Sequence, residues 1–164
     1  MARAFRGESS HKVDSKGRVS IPAAFRRVLE EGDPDWQPGQ QPQVVLVYGG
    51  KNREFLEGYT LAGMADVDAK IAAMPRGTKA RRALEHMFSA QSVQLAVDDT
   101  GRLVLSQRLR DKVGITGEAI FKASVETFQI WAPDTYETHA AALEDFFDDD
   151  DPDFDPLQLL DAEA

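Results

Sequence analysis

The stretch Asp14-Ser15-Lys16-Gly17-Arg18-Val19-Ser20-Ile21-Pro22 occurs a second time, 84 residues on, as Asp98-Asp99-Thr100-Gly101-Arg102-Leu103-Val104-Leu105-Ser106. Asp14, Gly17 and Arg18 recur as Asp98, Gly101 and Arg102. Each copy runs into a helix-like segment, 23–29 and 107–113, and each segment ends near a glycine, Gly32 or Gly114. One supersecondary unit present twice in 164 residues predicts a pseudo-symmetric α+β domain and not a long repeat array.

The chemistry of the unit is readable position by position. Val13, Val19 and Ile21 are strand formers on either side of the turn. Asp14 to Gly17 is turn chemistry: the carboxylate accepts nearby backbone N–H groups, and glycine takes a positive φ without a Cβ clash. Past the turn, Val19 and Ile21 point one way and Arg18 and Ser20 the other. Leu103 and Leu105 repeat the inward positions, but Val104 breaks the alternation and predicts a covered outer face in the second copy. Pro22 suits the first helical position, and Ser106 is placed to be an N-cap. Phe25, Val28 and Leu29 form an inward stripe, with Gly32 as the expected C′ residue.

The net charge of −9 speaks against a polyanionic partner until its distribution is read. Residues 144–164 hold 10 acidic and no basic side chains, which leaves 18 acidic against 19 basic in 1–143, a net of +1. Residues 1–30 hold 7 basic and 3 acidic side chains. A basic front with an acidic tail marks chains that meet polyanions. Cysteine is absent, which removes disulfides and thiol chemistry. No apolar run reaches the ~20 residues of a membrane helix, so no membrane partner is expected.

Along the chain, 1–10 reads as a polar, basic arm and 12–21 as strand–turn–strand. Residues 44–48 read as a buried strand, with a hairpin return at 54–56. Residues 65–74 and 79–89 read as helices. In the second, Ala80, Ala83, Leu84, Met87 and Phe88 form the apolar face, and Arg81 and Arg82 a solvated one. Residues 93–97, 119–121 and 127–131 read as strands, and 133–143 as a last helix. The organisation expected is a first half over 1–62, connecting helices over 63–91, a second half over 92–143 and a disordered acidic tail over 144–164.

The duplicated Asp-x-x-Gly-Arg motif resembles that of the MraZ family of bacterial transcription factors. The opening Phe5-Arg6-Gly7 and the helix at Ala80-Arg81-Arg82-Ala83-Leu84 are similar as well, so the likeness runs from about 5 to 143. Ser106 departs from the family pattern where a second proline is usual, and the basic, glycine-rich 49–53 loop also departs. The resemblance implies AbrB-type architecture: two halves interleaved as a swapped-hairpin β-barrel with flanking helices. It implies a homo-oligomeric ring that sets its turns on double-stranded DNA at promoter repeats about one helical turn apart, ~10 bp. It also implies repression of the division and cell-wall gene cluster, in the cytoplasm at the nucleoid.

On that expectation the DNA-binding residues are Arg18, Lys16, Ser15 and Arg102, with Arg6, Arg3 and Lys12 as supporting phosphate contacts. Lys16 stands at the tip of a tight turn, and the planar fork of Arg18 can hold guanine O6 and N7 or clamp a phosphate. An internal ion pair of Arg18 with Asp14 is the competing reading. Arg102 is the weaker candidate, because its turn carries Asp98 and Asp99 and has Thr100 in place of a lysine. Asp14, Gly17, Asp98 and Gly101 shape the turns.

Other chemistry fits poorly. Asp99-Thr100-Gly101 matches an aspartic-protease tripeptide, but the first copy is one residue longer and carries Lys16. His11, His86 and His139 are isolated, and Phe154 stands where a calcium loop needs glycine. Gly49-Gly50-Lys51 lacks P-loop spacing. No nucleophile–base set, cofactor, metal or small-molecule substrate is expected, so the chain does not read as an enzyme. The alternative class is a protein-interaction scaffold acting through the acidic, aromatic tail, with Leu157, Leu159 and Leu160 as a docking segment.

Overall fold

The two copies of the repeated stretch meet each other. A computed structural model of the chain describes residues 3–147 and 151–161. β1 (Glu8–Lys12) leads through the first turn into β2 (Arg18–Ser20) and α1 (Ala23–Glu31). β3 (Gln43–Val47), β4 (Phe55–Tyr59), α2 (Leu61–Ala72) and α3 (Lys79–Leu84) follow. The second copy supplies β5 (Ser92–Ala96), β6 (Arg102–Val104) and α4 (Gln107–Val113). β7 (Glu118–Ser124), β8 (Thr127–Trp131) and α5 (Pro133–Asp145) complete the order. β2 and β6 pair with each other in an antiparallel ribbon centred on Val19 opposite Leu103. Those two residues are themselves 84 apart, so the ribbon carries the pseudo-two-fold axis of the repeat.

The six other strands form one antiparallel sheet in the order β1-β7-β8-β4-β3-β5. Each half gives its first strand to the other half: β1 pairs with β7, and β5 pairs with β3. The hairpins β3–β4 and β7–β8 then join through β4 and β8. β1 and β5 are the edges, so the closed barrel implied by the resemblance is not formed by the ladders of the described residues. Residues 8–10, expected in an arm, belong to β1.

The repeat is also legible in the core. Val13 and Val97, Val19 and Leu103, Ile21 and Leu105, Phe25 and Leu109, and Leu29 and Val113 are all buried, and each pair is 84 apart. Burying each such side chain contributes about 1.5–3 kcal/mol. Phe25 packs edge-on to Phe5 and tilted on Phe128, both at 5.3 Å between ring centroids. Val28 has no apolar counterpart. Its partner position is Lys112, whose Nζ donates to the carbonyls of Gly50 and Arg53, each at 3.0 Å. β3 is buried on both faces, with Val44 and Leu46 in this core and Val45 and Val47 in a second one with Tyr59 and Met64.

Several local expectations are corrected. Pro22 sits one position earlier than expected, as N-cap, with its carbonyl accepting from Phe25 and Arg26. Gly32 is not left-handed (φ −86°). It is needed for space, since a Cβ there would lie 2.4 Å from Thr60 Cβ. The helix at 79–89 is regular only to Leu84 and continues as π-helical turns over Glu85–Ala90. Of its apolar face, Met87 and Phe88 pack on the second core, while Ala80 and Ala83 are exposed. Arg81 is no solvated side chain: Nη1 caps α2 by donating to Met74 O at 2.7 Å and Ala72 O at 3.2 Å. Val104, expected to be covered, is 53% exposed.

Ser106 does cap α4, accepting from the Leu109 N–H at 3.3 Å, and Gly114 closes that helix at φ +74°. Ser106→Ala is expected to cost about 0.5–2 kcal/mol, read as a lower midpoint in urea unfolding with an unchanged slope.

The chain divides into two compact units, Met1–Pro133 and Asp134–Ala164. In the second, the Phe147 and Phe154 rings approach to 6.5 Å, and Pro156–Leu160 forms a 3-10 helix capped by Asp155. Residues 151–161 are all exposed. The tail was expected to be disordered; Asp148, Asp149, Asp150 and residues 162–164 of it lie outside the described residues.

Candidate nucleic-acid interface

Each turn is built by its aspartate. Asp14 Oδ1 accepts the backbone N–H of Lys16 at 3.0 Å and of Arg18 at 2.9 Å. Asp98 Oδ1 does the same for Thr100 and Arg102, both at 2.9 Å, and also takes the Thr100 hydroxyl at 2.8 Å. These bonds favour the charged carboxylate. The backbone bond from Arg18 chiefly holds Asp14 below the usual carboxylate range, and that from Arg102 chiefly does so for Asp98. Gly17 and Gly101 close the turns at φ +85° and +80°, and their N–H groups return to the carbonyls of Asp14 and Asp98.

The ribbon then locks each turn to the other copy. The Gly17 carbonyl accepts from Leu105 N at 2.8 Å, and the Gly101 carbonyl from Ile21 N at 2.9 Å. A second pair of residues packs on the turns at the same offset of 84, and the repeated motif itself does not reveal it. Arg110 lies over Gly17 and donates Nε to Leu105 O at 2.9 Å. Arg26 lies over Gly101, with its Nε buried and without a hydrogen-bond partner among the described residues. Extending the comparison of the two copies into their helices is enough to find both.

The two readings of Arg18 are compatible. Its Nε donates to Asp14 Oδ2 at 2.6 Å, which fixes the direction of the side chain. Its terminal nitrogens make no hydrogen bond among the described residues, and the side chain is 40% exposed. The ion pair therefore aims the fork instead of consuming it. Arg102 is set differently: Nε is 3.4 Å from Asp98 Oδ2, and is buried without a hydrogen bond. Ser15 and Lys16 are exposed at the tip of the first turn.

The remaining candidates fall in two places. Lys12 ends β1 one residue before Val13, which bridges to Val19 at the base of the first turn. Arg3 and Arg6 lie beyond the other end of β1, where Phe5 bridges to Val125 in the β7–β8 turn. Arg3 is paired there with Glu31 at 2.9 Å. From Lys12 back to Glu8 alone is about 13 Å of strand. The structure thus brings Ser15, Lys16, Arg18 and Arg102 to the ribbon and its first turn, sets Lys12 at the base of that turn, and places Arg3 and Arg6 away from it. Among the described residues, no helix is long and apolar enough to cross a membrane.

The family model of the MraZ protein matches this chain twice, over residues 4–87 and 87–156. The chain is 58% identical over 163 residues to the protein named Transcriptional regulator MraZ of a Ruegeria species, covering 99% of this chain and 98% of that protein. It is 57% identical, with the same coverage, to that of Ruegeria pomeroyi. Against that of Cereibacter sphaeroides it is 45% identical over 152 residues, 88% of this chain and 89% of the relative.

Proposed function

From the premise that this chain belongs to the MraZ family, a family of transcriptional regulators and not of enzymes, we propose that it regulates transcription by binding double-stranded DNA through the β2–β6 ribbon. The observation that carries this reading is the set of Arg18: aimed by Asp14, 40% exposed, and with both terminal nitrogens unspent among the described residues. Lys16 and Lys12 supply phosphate contacts, Arg102 a second contact from the other copy, and Ser15 a hydroxyl at the turn tip. An antiparallel ribbon of two strands fits the major groove.

One ribbon offers few contacts, so a single chain binds weakly. A homo-oligomeric ring that holds several ribbons in register on tandem promoter repeats raises avidity by ~10²–10⁴. In this reading the protein represses the division and cell-wall cluster that includes its own gene, and works in the cytoplasm at the nucleoid. The halves 1–62 and 92–143 act as one binding module.

Anisotropy titrations across a salt series test this, using a duplex of tandem repeats from upstream of the protein's own gene and a scrambled duplex. The expected result is a preference for the repeats, with log K falling against log[salt] at about −0.9 per phosphate neutralised. Equal, weak binding to both duplexes would refute it. A scaffold reading is favoured by one observation alone: Phe146, Leu157 and Leu160 of the acidic unit are 68%, 67% and 75% exposed. It requires that deleting residues 145–164 abolish activity while ribbon variants remain active.

A further inference from the structure

The ribbon presents one face to the core and one outward. Val19 and Leu103 are buried beneath it. Residues directly opposite each other in an antiparallel pair share a face, so the outer face carries Arg18 opposite Val104 and Ser20 opposite Arg102. Val104 and Val125 are the large apolar side chains left exposed in the described part of Met1–Pro133. An isolated exposed valine needs no explanation by itself. This one sits between two arginines on the face that the DNA reading directs into the major groove, with Lys16 at the adjoining turn.

In that groove the base edges offer one apolar group, the 5-methyl of thymine. Resting on the DNA-binding reading above, we propose that Val104 is a specificity-determining residue that packs on a thymine methyl beside the group held by Arg18. Arg18 and Arg102 each face an aspartate, and Lys16 and Arg108 add the cationic charge near Val104 that complements a polyanion. Val104 also borders a surface cavity with Tyr48, Leu95 and Arg108, where the Arg108 guanidinium lies 4.9 Å from the Tyr48 ring centroid. The position equivalent to Val104 in the first copy is Ser20, a hydroxyl. The ribbon is therefore two-fold in backbone but not in the chemistry of its outer face, and the two ends of one half-site are read by different groups.

Deoxyuridine removes only the methyl group of thymine, which makes the proposal separable from the rest of the interface. Anisotropy would compare the tandem-repeat duplex with duplexes carrying deoxyuridine at one thymine at a time. The proteins are full-length wild type, Val104→Ala and Val104→Ser. At one repeat position or more, wild type should lose about fourfold in affinity per contact, the worth of burying one methyl group. Val104→Ser should bind thymine and deoxyuridine equally at that position and Val104→Ala should show a smaller difference than wild type; both should keep the wild-type sensitivity elsewhere and still prefer repeats to the scrambled duplex. The proposal is overturned if no position responds in wild type, or if both variants keep the full wild-type response. It is equally overturned if the variants lower the mass in sedimentation while the deoxyuridine response stays unchanged, because Val104 then faces a second copy. Wild type with no preference for repeats would instead remove the DNA reading and this inference with it.

Discussion

Arg18→Ala should abolish the preference for tandem repeats while the protein stays folded. The turn does not depend on the guanidinium, because Asp14 Oδ1 holds the backbone N–H groups of Lys16 and Arg18, and alanine keeps both. The lost Arg18–Asp14 pair is partly exposed and screened by solvent, so its loss costs the fold little. Binding is hit much harder. A bidentate base contact is worth about 1–3 kcal/mol, which is roughly 5- to 150-fold in Kd. In a ring the loss is repeated at every ribbon on the duplex. Arg18→Lys should not rescue, since a point charge cannot reproduce the fork. Arg102→Ala should cost less, because its turn has no counterpart of Lys16. The measurement is anisotropy on repeat and scrambled duplexes, with a thermal melt as the folding control. A folded Arg18→Ala protein that binds the repeats like wild type would remove the ribbon from the interface.

Gly17→Ala should act on the fold itself, destabilising it by about 3–5 kcal/mol. Two terms add at this position. The left-handed φ of +85° alone costs an alanine about 1–2 kcal/mol. A Cβ would also lie 2.0 Å from the carbonyl oxygen of Leu105. That oxygen cannot retreat freely, as it accepts from Arg110 Nε, and the Leu105 N–H is bonded to Gly17 O. The two copies would have to part at the ribbon. Gly77→Ala separates the terms: its φ is +81°, with no atom within 4 Å of the new Cβ. It should cost only the conformational ~1–2 kcal/mol. Urea unfolding of the two variants at equal protein concentration checks this, and equal losses would mean that the close approach at Gly17 relaxes at little cost.

The parts of the fold that were legible in the sequence are those whose chemistry is local. The turn, its aspartate and glycine, the helix behind it and the Ser106 cap all follow from residue types at fixed spacing. Strand exchange does not. Glu-Ser-Ser-His-Lys in β1 has no apolar alternation, because it is an edge strand exposed along most of its length, and it reads as an arm. The full extent of the repeat is hidden by a change of offset. β1 and β5, and β2 and β6, are 84 apart, but β4 and β8, and α2 and α5, begin 72 apart. The longer segment between α1 and β3 takes up 9 of the difference of 12, bringing β3 and β7 to 75 apart, and the longer β3–β4 turn takes up the other 3. At the candidate site, Arg18 and Lys16 announce themselves by type. Val104 does not, because an apolar residue in a strand is ordinarily read as core. Arg26 and Arg110 become visible only when a helix is compared with its counterpart.

The exchange of first strands also sets an order of events during synthesis. Ser10 pairs with Ile120, 110 residues later in the chain. At about 5–20 residues per second, a ribosome needs roughly 6–22 s to make the partner that β1 requires. Throughout that interval the nascent first half carries a strand without its mate, beside a hairpin still waiting for β5. Neighbouring ribosomes on one messenger carry the same unfinished halves, each able to lend the other the strand it lacks. Finishing the second half quickly is thus part of keeping one chain from folding into the next.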